Sequence, residues 1–273
     1  MEIIPSKNIN LSKLNINGPL NLKDYIDLYS LECHNNKITL LFNLPNSLIK
    51  LYCGQNQLTL LSNLPEHLIE LYCSHNKITL LSNLPNTLVE LNCSHNKIIN
   101  LNLLPNTLIR LDCSHNQITN LDLLPNNLIW LDCSSNKISS LDNLPSSLTR
   151  LDCYNNIISS LDNLPNSLIW LNCGSNKLLS LSNFPNFLIE LHVNKNHYQE
   201  IQLNNLPKNL TNLTCDSIKQ IIHLDNIPKF LISITCKSLN YSYNYNYLNL
   251  SNTYDKFKKQ LNQKKIYNHY NDE

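Results

Sequence analysis

Apolar and polar positions recur along this chain with a period of 20 residues. Leu returns at 31, 51, 71, 91, 111, 131, 151, 171 and 191. Cys returns at 33, 53, 73, 93, 113, 133, 153 and 173, with Val193 in the ninth copy. Asn returns at every twentieth position from 36 to 196, and Pro from 45 to 185. One unit reads Leu128-Ile-Trp-Leu131-Asp-Cys133-Ser-Ser-Asn136-Lys-Ile138, then Leu141, Leu144 and Pro145. Two looser copies follow, marked by Pro207 with Cys215 and Pro228 with Cys236. About eleven units cover residues 28–236. Such a period belongs to a coil whose turns bury their apolar faces only against one another.

Within a unit, residues 130–134 have the alternation of a short strand. Leu131 and Cys133 point inward, and Trp130, Asp132 and Ser134 point outward. Stacking the units builds a parallel sheet, with right-handed crossovers as the default. Leu128, Leu131, Cys133, Ile138, Leu141 and Leu144 form the expected core. After each strand the chain must turn, which leaves backbone groups inside without ladder partners. The Asn column can satisfy them with its amide. The Leu-Pro pair disfavours helix on the return path. The return side is therefore expected to be extended or polyproline-like, with little helix. Open ends of such a sheet need cover. Residues 1–27, with Leu11, Leu14 and Ile16, are the expected N-terminal cap. Tyr241, Tyr243, Tyr245 and Tyr247 alternate with polar residues, as in one last covering strand. Residues 237–273 hold that strand and a Lys/Tyr/Asn-rich tail, helical or loose.

The segment L-x-x-L-x-C-x-x-N-x-I resembles the leucine-rich repeat consensus, with Cys where Leu or Val is commoner. The short period and the Leu-Pro pair resemble the 20-residue repeats of bacterial effectors. The Asn- and Ile-rich, Ala-free wording resembles leucine-rich repeat proteins of giant DNA viruses such as mimivirus. The resemblance implies an α/β-class horseshoe solenoid with strands lining the concave face. Bacterial relatives of this subtype often carry a ubiquitin-ligase domain with a nucleophilic Cys. Here 37 residues follow Cys236 and none is Cys, so that activity is not carried over.

Composition narrows the function. Apolar residues make up 42% of the chain, enough for a core, and charged residues only 15%. A net charge of +1 argues against bulk nucleic-acid binding. No apolar run reaches the length of a membrane span. The N-terminus lacks the pattern of a secretion signal, so an intracellular, cytoplasmic protein is expected (host cytoplasm if viral). Ten Cys could imply disulfides or zinc. Eight sit at one inward position, no C-x-x-C occurs, and stacked parallel side chains bridge poorly. Buried free thiols are the expected state, which fits a reducing compartment.

Function falls to the outward columns. The first reads Lys50, Glu70, Glu90, Arg110, Trp130, Arg150, Trp170, Glu190. The second reads Glu32, Tyr52, Tyr72, Asn92, Asp112, Asp132, Asp152, Asn172, His192. The third is mostly small, with Tyr154 as an exception. Both tryptophans of the chain lie in the first column, with Arg150 between them in sequence. Trp, Tyr and Arg are enriched where partners bind; exposed aromatics can also simply pack on neighbouring strands. Asp112, Asp132 and Asp152 stack as carboxylates. They form a ladder offset by Arg110 and Arg150, an acidic docking strip, or a cation site. The strip of His75, His95 and His115 reads as a crowded surface ladder or as metal ligands. A straight ladder does not converge on one ion, so no metal and no cofactor are expected. These columns hold seven acids against three bases, while Lys37, Lys77, Lys97, Lys137 and Lys177 form a basic rim.

No catalytic motif appears, and three Gly leave little room for phosphate loops. The expected function is a non-enzymatic protein-interaction scaffold. Its partner is a protein of basic character, bound through Tyr52, Tyr72, Arg110, Asp112, Trp130, Asp132, Arg150, Asp152, Tyr154 and Trp170. The alternatives are a polyanion or membrane-surface binder acting through Lys256, Lys258, Lys259, Lys264 and Lys265, and a metal-dependent hydrolase built on the Asp or His ladders.

Overall fold

A computed structural model describes residues 7–196, 201–202, 206–215, 221–223, 230–236 and 241–244. The chain divides into two compact units, Met1–Ile157 and Ile158–Glu273. The Lys-rich tail and Tyr245 and Tyr247 lie outside the described residues.

In the first unit the strands are β1 (Lys7–Asn10), β2 (Asn17–Asn21), β3 (Leu28–Glu32), β4 (Lys37–Phe42), β5 (Lys50–Tyr52), β6 (Glu70–Tyr72), β7 (Glu90–Asn92), β8 (Arg110–Asp112), β9 (Trp130–Asp132) and β10 (Arg150–Asp152). The order β1-β3-β5-β6-β7-β8-β9-β10 forms a parallel sheet. From β5 onward each residue pairs with the one 20 positions later, so every column of the sequence becomes a column in space. The central Leu of each strand is buried, and its two neighbours face out. This is a leucine-rich repeat solenoid, and among the described residues there is no helix. None could therefore cross a membrane as a helix.

The strands are shorter than the alternation implies. The strand expected over 130–134 ends at Asp132. The Ser134 N–H donates to Asp132 Oδ1 at 2.9 Å, and Ser135 then turns left-handed at φ 54°. A side chain thus replaces the ladder partner. The core is otherwise the expected one. Leu128, Leu131, Cys133 and Ile138 are fully buried, as are their counterparts in the other turns. Leu144 is the exception and is half-buried.

The Asn column behaves as its chemistry predicts. Asn56 Nδ2 donates to Cys33 O of the preceding turn at 2.9 Å and to its own Cys53 O at 3.1 Å. Its Oδ1 accepts from the Ile38 N–H at 2.9 Å. The same set recurs at Asn76, Asn116 and Asn156. On the return path Pro45 O accepts from the Leu48 N–H at 3.1 Å, a turn repeated at each Pro through 145. At the N-terminal end β1 adds to the sheet before the Leu11–Ile16 segment, and β2 pairs with β4. Leu14, one of the apolar residues of the expected cap, is 59% exposed and follows the end of β1 at Asn10.

The second unit repeats the scheme with β11 (Trp170–Asn172), β12 (Glu190–His192), β13 (Ile201–Gln202), β14 (Asn212–Cys215), β15 (Ile221–His223), β16 (Ser233–Cys236) and β17 (Tyr241–Asn244). Strands β11, β12, β14 and β16 are parallel. Strand β17 pairs antiparallel with β16 and carries Tyr241 and Tyr243, the first half of the alternating tyrosine run. Strands β13 and β15 form a separate pair.

Candidate functional site

The in-register columns fix which outward side chains meet. In the first unit β8 sets Arg110 opposite Trp130 on β9, and the Arg110 guanidinium lies 4.3 Å from the centre of the Trp130 ring. That is cation–π geometry on a half-buried indole. Arg110 therefore covers Trp130, whereas the sequence pattern set it against the aspartates.

The aspartates are held by the backbone instead. Asp112 Oδ1 accepts from Ser114 N–H at 3.1 Å and Ser114 Oγ at 2.7 Å, and its Oδ2 from Asn92 Nδ2 at 3.0 Å. Asp152 Oδ1 accepts from the Tyr154 N–H at 3.0 Å. The carboxylates thus cap the exit of each strand, a role the column's outward placement did not reveal. Burial pushes the Asp132 carboxyl above its ordinary range. Asp152 and Asp112 push the same way, against the bonds from Ser134.

An Asp132→Asn variant should therefore be more stable at pH 7, by about 0.5–1 kcal/mol as for relief of like charges directly opposite. The Asn retains the cap, because Asn92 Oδ1 already accepts from Ser94 N–H and Oγ at 3.1 and 2.8 Å. The sign follows from the raised value: ionised Asp132 opposes folding, and that penalty vanishes as pH falls below the unfolded carboxylate range, about 3.9. Urea melts at pH 7 and pH 3 check this; an equal gain at both would exclude the charge as its cause.

Next to the structural Asn runs a column of left-handed residues, among them Asn35, Gln55, His75, His95, His115, Ser135 and Asn155. Equal φ values of 53°, 52° and 52° aim the three imidazoles in parallel. Their centroids stack at 3.9 and 4.0 Å, with interplanar angles of 10° and 11°. Burial, then His115 and His75, push the His95 imidazole below its usual range. Face-to-face rings do not converge their nitrogens. Among the described residues no group of three His, Cys, Asp or Glu could hold a metal ion.

Tyr52 and Tyr72 stack at 5.0 Å. Tyr52 Oη donates to Glu70 at 2.6 Å and Tyr72 Oη to Glu90 at 2.7 Å. Lys50 pairs with Glu70 at 2.7 Å. Burial pushes the Tyr72 phenol up to about 12, helped by Glu90. Burial also pushes Glu70 up, but the bonds from Lys50 and Tyr52 leave its carboxyl below the usual range. Beside the two rings lies an open hollow of about 230 Å³ over Gly54 and Ser74. The glutamates were read from the sequence only as part of the acidic excess, and the hollow and Gln55 were not singled out; diagonal neighbours across two columns are not visible in a linear pattern.

In the second unit Trp170 is half-buried, with its ring 5.2 Å from that of His192. His192 Nε2 is 2.7 Å from Glu190. Trp130 and Arg150 belong to the first unit and Trp170 to the second.

In the first unit the cysteines from Cys33 to Cys153 form an inward column of fully buried thiols without disulfides, and Cys173 and Cys215 of the second unit are buried in the same way. Burial pushes Cys33 and Cys73 up to about 12. Cys113 and Cys133 donate weakly through Sγ to Asp132 O and Asp152 O, each at 3.3 Å.

No protein-family model matches the sequence, and no curated protein matches it. Solved structures do. The chain is similar to YopM from Yersinia enterocolitica WA-314, at 34% identity and a TM-score of 0.67, over 76% of this chain and 50% of that one. It is also similar to the functional domain of InlJ from Listeria monocytogenes, described as including a cysteine ladder. There the identity is 32% and the TM-score 0.69, over 84% of this chain and 52% of that one. The chain thus spans about half the length of each. Both are bacterial, and the viral resemblance in the wording of the repeats gains no support from them.

Proposed function

Since the chain is a leucine-rich repeat protein, with repeats like those of YopM and InlJ, we propose that it is a non-enzymatic scaffold that binds a protein partner through the outward strand columns. The observation that carries this reading is the Arg110–Trp130 pair, a preformed aromatic and cationic contact on that face. Side chains held by their neighbours lose little freedom on binding, and Trp and Arg dominate interface energetics. Tyr52 and Tyr72, stacked and hydrogen-bonded, are fixed in the same way. Trp170, Arg150 and Tyr154 extend the candidate set within their own units. The excess of acids over bases in these columns favours a partner of basic character. The unbridged thiols favour action in a reducing, intracellular compartment.

Affinity capture from the native cells with an Arg110→Ala, Trp130→Ala double variant tests the reading. Loss of the central pair should weaken capture at least tenfold, as for a hot spot of 1.4 kcal/mol or more, roughly. Circular dichroism should show an unchanged fold, since both side chains face outward. Undiminished capture by the folded double variant would refute the role of this face.

A further inference from the structure

The hollow beside Tyr52 and Tyr72 arises from a break in the repeat. In the following turns the second-column side chain bends over the third-column residue and closes the strand exit. Asn92 takes both donors of Ser94, and Asp112 both donors of Ser114. Ser94 and Ser114 are accordingly buried, at 5% and 6% exposure. A tyrosine cannot make that cap. Its hydroxyl instead reaches the next strand, to Glu70 or Glu90. The strand exits below the two rings lack that cap, and the third column there is Gly54, buried but with no side chain, and Ser74, half-buried. An open space of about 230 Å³ results.

Its chemistry selects a cation. One wall is the stacked tyrosine pair, whose hydroxyls donate to carboxylates and so enrich the rings in electron density. Asn35, Gln55 and His34 also line it, and His34 is tied to Ser12 at 2.9 Å. No Lys, Arg, Asp or Glu lines the space, and the carboxylates of Glu70 and Glu90 act on it through the tyrosine hydroxyls they bind. Lys50, the base of the adjoining columns, is paired with Glu70. A planar donor that also favours aromatic faces matches this combination of rings and amide oxygens.

We propose that this hollow receives an arginine side chain of the protein partner. The proposal rests on the scaffold reading and specifies what one part of that surface recognises.

The test uses the full chain and the pentapeptide Gly-Gly-Arg-Gly-Gly, followed through the ring resonances of Tyr52 and Tyr72. A saturable shift is expected, with a Kd in the millimolar range, about 1–10 mM for one side chain. The citrulline peptide, equal in shape and uncharged, should bind at least tenfold more weakly, and the lysine peptide several-fold more weakly. Gly54→Ser fills the hollow with the residue that the repeat itself carries at 74, 94, 114 and 134. Its Cβ would lie 3.1 Å from Ser74 Oγ and 3.2 Å from Ser74 O, so Ser74 must give way by a few tenths of an ångström. This variant should lose the arginine peptide at least tenfold. Tyr72→Asn, which restores the residue of position 92, should do the same should Gly54→Ser melt early.

Equal binding of the citrulline or lysine peptide overturns the proposal, as does unchanged affinity in either folded variant. Partner capture separates the two readings. If Gly54→Ser captures normally while Arg110→Ala, Trp130→Ala does not, the arginine site fails and the scaffold surface stands. If neither variant affects capture, both fail.

Discussion

Replacing Asn116 by Leu is expected to lower the unfolding free energy by about 2–4 kcal/mol, a large share of a typical domain's stability. The estimate comes from asking which backbone groups lose their only partner. Asn116 Nδ2 donates to Cys93 O, Cys113 O and Ser114 O, each at 3.1 Å. Those carbonyls have second donors: Asn96 Nδ2 at Cys93 O, Asn136 Nδ2 at Cys113 O and the His95 N–H at Ser114 O. The Ile98 N–H has no such reserve. It donates to Asn116 Oδ1 at 2.9 Å, inside the coil and away from water. One orphaned amide costs roughly 1–3 kcal/mol, and the weakened carbonyl contacts add to it.

Asn116→Leu is close in size to the wild type, so a cavity contributes little to the loss. An outward control, Gln117→Leu, removes no inward bond and should change stability by less than about 0.5 kcal/mol. Urea denaturation of the three proteins checks the contrast. Near-equal midpoints for Asn116→Leu and wild type would mean that the column does not carry the turns. Each repeat is coupled to its neighbours through this residue, so the loss should also appear as faster amide exchange at Ile98 and in the adjoining turns.

Much of this fold was legible before any coordinates. The Leu, Ile, Cys and Asn columns each carry one residue type because each faces one unvarying environment, the inside of the coil. Apart from the aspartate caps, what stayed hidden involves groups whose role depends on a neighbour 18 to 22 residues away. Ser47 Oγ donates to Leu28 O at 2.9 Å, Thr107 Oγ1 to Leu88 O at 2.7 Å and Ser147 Oγ to Leu128 O at 2.7 Å, a second polar ladder along the return path. The recurrence of Ser or Thr just before the first Leu of a unit was its only trace in the sequence. The left-handed column left a trace too: Asn, Gln, His, Ser and, last, Lys fill it, with no β-branched residue from 35 to 195.

The candidate surface was legible as a face and not as contacts. Alternation put Arg110, Trp130, Tyr52 and Asp132 outward, and they are outward or half-buried. Which of them touch depends on side-chain reach. Arg110 had two partners within range, an aromatic ring on the next strand and a carboxylate two residues on. The Ser114 donors bind one oxygen of that carboxylate and Asn92 the other, while the Arg110 guanidinium lies over the Trp130 ring. Local capping of Asp112 in the second column thus bears on a contact inside the first, a dependence that no single-column pattern contains.

The thiol column gives the other large effect. In native protein at pH 8, Cys113 should react with a small aromatic disulfide at least 10³-fold more slowly than a free cysteine, to order of magnitude. Two causes multiply. The side chain is fully buried, so the reagent reaches it only when the turn opens. Burial, with Cys93, Cys133, Asp112 and Asp132 nearby, also holds the thiol well above its ordinary range, so almost no thiolate is present in the closed state. A free cysteine, with a pKa of about 8.5, is substantially ionised at that pH. The raised value fixes the direction with pH. The unfolded thiol ionises first, so the column's contribution to stability is complete below about pH 8.5 and declines as pH rises beyond it. Site-resolved mass spectrometry of the labelled protein reads each cysteine separately. Turn-by-turn opening predicts that rates rise when Asn116→Leu loosens the coil, with Cys93 and Cys113 the most accelerated. Labelling of Cys113 within tenfold of the free-thiol rate, in protein that remains folded by circular dichroism, would place that side chain in water and undo the stacked core on which every outward column depends.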